Sequence, residues 1–210
     1  MMIIDFTRFS GIIARQRFNS IKKEIFRKSI HICSSLVPFF LSVAHNLTII
    51  FLICAVVIYS LSEALRLKGI DIPLISRITE TAARKRDENR FVLGPVTLVF
   101  GILIAAVFLP VKSAEIGIFA LSFGDGFASL IGKLLGKVSI PGAGGKTVAG
   151  SLACFLAVYI STFCASGNCL ISLLIAVCAM IIEVFPLKDF DNMIIPILIG
   201  TVYAQLATFL

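Results

Sequence analysis

Long apolar stretches separated by short polar ones organise this chain from residue 29 to its end. They fall at about 29–45, 47–62, 92–110, 114–131, 148–166, 169–186 and 193–210, each near the roughly 20 residues that carry a helix across a bilayer core. The runs are continuous, whereas a barrel strand alternates lipid-facing and lumen-facing residues, so helices are predicted. The pattern predicts an all-α, polytopic transmembrane helix bundle of about seven spans, with a single transmembrane domain over 29–210. The first two runs are short and share a tight turn at His45-Asn46. Their alternative is one interfacial or re-entrant unit.

Residues 1–28 follow a different pattern. Arg8, Arg15, Arg17, Lys22, Lys23, Arg27 and Lys28 alternate with Ile3, Phe6, Phe9, Ile12, Phe18, Ile21 and Phe26, which predicts a basic amphipathic segment lying at the membrane surface. No small-residue cleavage site follows the first apolar run, so no cleavable signal peptide is expected.

Composition sharpens this picture. Of the 210 residues, 58% are hydrophobic and 15% charged, with a mean hydropathy of +1.01, which excludes a soluble globular domain. The net charge is +7; these cations suit a lipid surface, and no nucleic-acid partner is expected. With the amino terminus in the cytoplasm, only Lys112 of the 19 Lys and Arg residues falls in an outside turn. The positive-inside rule therefore orients the amino terminus inward and the carboxyl terminus outward. Six scattered cysteines lie in apolar runs without zinc spacing. Cys164 and Cys169 flank an outside turn, where a disulfide is the minor alternative to free thiols.

Against this apolar background the stretch Ser122–Ser151 stands out, because it holds one carboxylate, three lysines and several glycines. An ionisable group at membrane depth is a functional-site hypothesis by default. Asp125 sits about ten residues into its run, about 15 Å along a helix, between Gly124 and Gly126, with Lys133 two turns on. Gly132 and Gly136 form a small-xxx-small pair, which favours helix packing. Pro141-Gly-Ala-Gly-Gly-Lys146-Thr147 invites comparison with a P-loop, but Ile140 stands where the first glycine of that motif belongs. Gly144 and Gly145 can still offer backbone N–H groups, and Lys146 a point charge, to phosphate oxygens. A plain flexible linker is the alternative.

Two other places carry polar residues at helix ends. Glu24, Arg27, Lys28 and His31 share one helical face at i, i+3, i+4 and i+7. A Glu24–Lys28 ion pair with snorkelling cations would explain three of them, but not His31. Glu63 and Arg66 end the second run as a solvated cap or as part of a site. Glu183 ends the sixth run, and Asp189 and Asp191 precede the seventh, where an Asx cap is the simpler reading. Carboxylates gathered at one membrane face suit Mg²⁺, which takes one or two of them together with substrate phosphates.

Taken together, Arg27-Lys28-Ser-Ile-His31, Gly124-Asp125-Gly-Phe-Ala128-Ser-Leu-Ile-Gly132-Lys133, Gly136-Lys137, Gly145-Lys146-Thr-Val-Ala-Gly150-Ser151 and Glu183 through Asp191-Asn192 to Pro196 resemble the successive motifs of the polyprenol and lipid kinase family. That family holds dolichol kinase, phytol kinase and the CTP-dependent diacylglycerol kinase, and is distantly similar to phosphatidate cytidylyltransferases. The resemblance covers about residues 22–200. It implies a transferase that moves the terminal phosphate of CTP, or of ATP, to the hydroxyl of a membrane lipid alcohol with Mg²⁺ as cofactor. The compact length implies a bacterial-type version in the inner membrane, its active site facing the cytoplasm.

Under that resemblance Asp125, Lys146 and His31 are expected to be catalytic. Arg27, Lys28, Lys133, Gly132, Gly144 and Gly145 are expected to bind nucleotide phosphates, and Asp125, Glu183 and Asp191 to bind the metal. Ala149 departs from the pattern, since many members carry Glu there. Two readings compete: a phosphatidate cytidylyltransferase, which would use the same cations and metal, and a transporter, against which stands the gathering of charge at one face rather than at the midplane.

Overall fold

The computed structural model describes residues 18, 20–83, 87 and 90–209. The expected amphipathic stretch before residue 18 and most of the basic run 84–90 lie outside the described residues. Among those described the chain is all-helical, with one isolated bridge between Ser139 and Thr147 as its extended pairing.

Helix α1 covers residues 20–33 without a break at residue 28, so the polar stripe and the first apolar residues share one rod. A 3-10 turn, Ser34–Leu36, joins it to α2, Val37–Val43. The backbone then breaks at Ala44, with φ −146° and ψ 65°, and α3 (His45–Leu67) returns alongside α2. At 23 residues, α3 is about 35 Å long, long and apolar enough to cross a bilayer by itself, so the re-entrant alternative is not needed for it. The short amphipathic α4 (Pro73–Ala82) packs against α3, and Lys23 of α1 donates to the Glu80 carbonyl at 3.1 Å.

The remaining helices follow the apolar runs closely. Helix α5 spans Gly94–Phe108 and α6 Val111–Phe119; α6 continues through a π-helical segment, Ala120–Asp125, into α7, Gly126–Leu135. Helices α8 (Val148–Ser166), α9 (Cys169–Val184) and α10 (Asp191–Phe209) complete the bundle. Four of these elements are long and apolar enough to cross a membrane: α3, the 25-residue run Val111–Leu135, α8 and α10. Helices α5 and α9 are apolar but only 15 and 16 residues long, and α2 has seven. The expected seven runs thus become four helices of full spanning length plus shorter apolar pieces. The extent of an apolar run does not reveal where backbone geometry ends the helix inside it.

Local chemistry sets those ends. Pro95 occupies the first turn of α5, where its missing N–H has no partner to lose. Gly167 closes α8 with φ 69°, a left-handed conformation natural to glycine. Asn168 then caps α9 by accepting from the Leu170 and Ile171 N–H groups at 3.0 and 3.1 Å.

Helix α10 is the hub, in contact with α5, α6 and α9. Close approach there depends on glycines, as expected where packing between lipid-facing helices rests on small residues. A Cβ on Gly200 would come within 2.8 Å of the Ser113 carbonyl of α6. The core holds Ile116, Ile118, Leu121, Val158, Ile175 and Ile199, all fully buried. Large apolar side chains such as Phe39, Phe51, Phe100, Ile160 and Leu170 point outward instead. Water would penalise that outer surface, and lipid would not.

Candidate functional site

The first element of the site is a pair of facing helices. The π segment adds an extra residue per turn, and such bulges occur often at functional sites. It ends at Asp125, whose carboxylate turns inward beside α1 and is only 3% exposed. Lys28, equally buried, donates to Asp125 Oδ2. His31 Nδ1 lies 3.2 Å from the same oxygen, without the alignment of a hydrogen bond. Behind them Ser122 donates to Ser34 Oγ at 2.7 Å, and Ser34 donates to the His31 carbonyl at 2.5 Å. This short polar ladder fixes the register of α1 on the π segment. Gly126 leaves room for Ile32 next to it, since a Cβ there would lie 3.0 Å from the Ile32 side chain.

One turn earlier on α1, Arg27 pairs with Glu24 at 2.5 Å. The expected Glu24–Lys28 pair is therefore replaced: Asp125 on a neighbouring helix takes Lys28, which leaves Glu24 to Arg27 and, at 3.6 Å, to Lys133. Lys133 also donates to the Ser20 carbonyl at 2.8 Å. Burial alone would raise the Glu24 carboxyl, but Arg27, Lys28 and Lys133 outweigh it and hold its pKa below the ordinary 4.5.

The glycine-lysine loop forms the second element. Backbone bonds from Ile140 N–H to the Lys146 carbonyl (2.8 Å) and from Val148 N–H to the Val138 carbonyl (3.1 Å) close its base. It is thus a pinned turn, contrary to the flexible-linker alternative. Gly144 and Gly145 have φ of +63° and +91°, which a side chain at either position would resist. Gly144 rests against Pro186 in the α9–α10 connection. Lys146 consequently reaches the end of α9, where it donates to the Glu183 carbonyl and lies 3.1 Å from Glu183 Oε1. Ser151 donates to Glu183 Oε2, also at 3.1 Å.

These pieces enclose one cavity of about 560 Å³. Arg27, Lys28, Asp125, Gly132, Lys133, Gly144, Gly145, Lys146, Glu183 and Asp191 all line it, so nearly every site residue expected from the sequence meets there. His31 is the exception, since it touches Asp125 from behind and lines a small adjoining pocket of about 40 Å³. Gly132 has a second duty: its Cβ would lie 3.0 Å from Thr147 Oγ1 and 3.5 Å from the Gly150 Cα, so it also lets α7 and α8 pack closely.

Glu63 does not belong to this group. It is 1% exposed, receives two bonds from Arg66 at 2.7 and 2.8 Å, and accepts the Val92 N–H at 2.9 Å. It is neither a solvated cap nor a third carboxylate of the cavity, but a clip that ties the end of α3 to the chain leading into α5. The possible Cys164–Cys169 disulfide is absent as well: both thiols are free, and Cys169 Sγ lies 3.1 Å from the Tyr159 hydroxyl.

Among the described residues no three His, Cys, Asp or Glu side chains converge as a ready-made metal cage. Mg²⁺ does not require one, because it is held by one or two carboxylates together with phosphate oxygens and water. Asp125 and Asp191, which both line the cavity, fit that requirement. Glu183, engaged by Lys146 and Ser151, is positioned to hold that lysine.

Sequence reasoning missed Lys188, Ser129 and Ser151. Lys188 lines the cavity with φ 58°, a left-handed conformation that costs a non-glycine residue about 1–2 kcal/mol. Nothing in a local pattern marks such a residue. Ser151 was visible only as part of a motif, and its partner Glu183 lies 32 residues away.

In the comparisons with known proteins, no family model, curated protein or solved structure matches this chain.

Proposed function

We propose that this protein is an integral-membrane lipid-alcohol kinase, transferring the terminal phosphate of CTP or another nucleoside triphosphate to the hydroxyl of a lipid such as diacylglycerol or a polyprenol. The observation that carries the reading is the single cavity in which Asp125, Arg27, Lys28, Lys133, Lys146 and the glycine loop meet. The motif resemblance supports it independently. In the proposed orientation the seven apolar runs form the membrane domain, α2 and the shorter α5 and α9 included. The amino terminus and the cavity face the cytoplasm, and the enzyme sits in a bacterial inner membrane.

The lipid oxygen attacks the γ-phosphorus as the bond to the β–γ bridging oxygen breaks. The hydroxyl proton passes to a carboxylate, and the nucleoside diphosphate leaves. Such transfers depend mainly on positioning and on neutralising phosphate charge. Among the described residues Arg27, Lys28, Lys133, Lys146 and Lys188 are the cations that line the cavity. Asp125 is the proposed proton acceptor or Mg²⁺ contact, with Asp191 as the second carboxylate; bound Mg²⁺ would neutralise charge on the phosphates. In the resting state Lys28 occupies Asp125. As phosphate oxygens arrive, Lys28 would turn to them and release the carboxylate, leaving His31, whose Nδ1 lies 3.2 Å from Asp125 Oδ2, as its neighbour.

Purified protein incubated with γ-labelled CTP or ATP and a panel of diacylglycerol, polyprenols and short isoprenoid alcohols should place label in one lipid class. Substitution Asp125→Ala should abolish that label while membrane insertion persists. Pyrophosphate release with transfer of CMP to a lipid phosphate would instead identify a cytidylyltransferase.

A further inference from the structure

The connection from α9 to α10 turns at Lys188. Phe190 N–H donates to the Leu187 carbonyl at 3.2 Å, and Lys188 is the first residue inside that turn. Its φ of 58° makes it the only non-glycine with a positive φ among the described residues. Glycine takes that conformation freely and asparagine readily, whereas lysine is strained in it. The turn is held from both sides. Pro186 lies against Gly144 of the glycine loop, and the Phe190 carbonyl accepts from the N–H groups of Met193 and Ile194 in the first turn of α10.

The side chain carried by this backbone lines the 560 Å³ cavity. Its charge differs from the others there. Arg27 and Lys133 share Glu24, Lys28 has Asp125, and Lys146 has Glu183, so each of those cations is answered by a carboxylate of the protein. Lys188 forms no hydrogen bond or ion pair among the described residues. A lysine that merely met water would need no left-handed backbone. At this turn position glycine would serve the fold with less strain, and a strained residue in a cavity wall points to a duty in that cavity.

We propose that Lys188 is a phosphate-binding residue, whose counter-charge is a phosphate group from outside the protein. The source of that phosphate rests on the kinase reading, under which it is the nucleotide's polyphosphate; a lipid phosphate at the membrane surface would offer the same oxygens. Having no resident partner, Lys188 meets the incoming anion without opening an ion pair, whereas Lys28 and Lys146 exchange a carboxylate for it.

The test titrates the full chain in mild detergent with tripolyphosphate in the presence of Mg²⁺, followed by calorimetry, and repeats the binding measurement with nanodiscs containing phosphatidate. Lys188→Asn removes the charge and eases the backbone, so it should weaken phosphate binding about ten-fold, the scale of one charge-assisted hydrogen bond, without lowering the melting temperature of the phosphate-free protein. Lys188→Gly should behave alike, Lys188→Arg should keep most of the affinity, and Lys137→Asn, an exposed lysine outside the cavity wall, should leave it unchanged. Loss against tripolyphosphate assigns the phosphate to the nucleotide, and loss against phosphatidate alone assigns it to a lipid. Unchanged binding of both probes by Lys188→Asn, an equal loss in Lys137→Asn, or no binding of either probe by the native chain would overturn the proposal. So would a fall in melting temperature in both the Asn and Gly variants that matches the loss of binding, since the lysine would then serve the turn itself. Label transfer to lipid tests the kinase reading separately, so either can fail without the other.

Discussion

Lys28 and Asp125 lie 97 residues apart in sequence and are both almost completely buried. Removing one partner of a buried ion pair leaves an uncompensated charge and costs about 3–5 kcal/mol, whereas replacing both with apolar residues is often neutral. Lys28→Met is therefore expected to lower the melting temperature sharply in detergent, and Lys28→Met/Asp125→Leu to recover most of it. Phosphoryl transfer should be lost in both. Recovery of stability without activity separates the structural duty of the pair from its chemical one. If instead the double variant were as unstable as the single one, the pair would not be the source of the cost.

Glu24 gives a pH-dependent counterpart on the same helix. Its folded-state pKa is depressed below 4.5 because neighbouring cations outweigh its burial. Its contribution to stability is therefore fully present above the unfolded-state value and is lost as pH falls through the folded one. The melting-temperature gap between the native chain and Glu24→Gln should be open at pH 7 and close as pH falls below 4.5 and through the depressed folded-state value, beyond which both side chains are neutral. A gap unchanged over that range would show that the Arg27 and Lys133 contacts act through packing alone.

At the scale of elements, the contact between α7 and α8 sets the floor of the cavity. A Cβ on Gly150 would lie 2.7 Å from the Ala128 carbonyl and 3.3 Å from the Gly132 Cα. Overpacking of this kind costs about 1–3 kcal/mol. The expectation for Gly150→Val is a loss of that order with helicity retained, because α8 can move away from α7 without unwinding; circular dichroism and thermal melting measure the two separately. The sequence showed the glycines, and Gly132 read by default as a packing residue, and under the family resemblance as a phosphate contact. Only the position of Gly150 across from it decides that packing is part of its role. The π segment Ala120–Asp125 was not legible at all, since one extra residue in a helical turn leaves no mark in hydrophobic period. The loop 140–146 was legible in composition, but not in being pinned by the bonds at its base.

For the whole molecule the proposed orientation makes a direct prediction. In a chain otherwise free of cysteine, Lys112→Cys should react with an impermeant thiol reagent only from outside intact cells, and Lys137→Cys only after the cytoplasmic face is exposed. Both lysines are surface-exposed, so failure to react would not follow from burial, and the reverse labelling pattern would invert the topology. What the sequence by itself determined is the all-helical, apolar character of the chain and which residues carry charge. Lipid solvation demands long apolar runs with internally bonded backbones, and that demand is written residue by residue. It also presented the site residues as separate clusters, at 24–31, 125–133, 144–146 and 183–191. Partner choice was decided only by tertiary structure. Lys28 goes to Asp125 rather than Glu24, Lys146 goes to Glu183, and Glu63 closes a structural clip instead of joining the cavity. A buried charge takes whichever counter-charge the packed helices bring within a few ångströms, and distance along the chain carries no information about that.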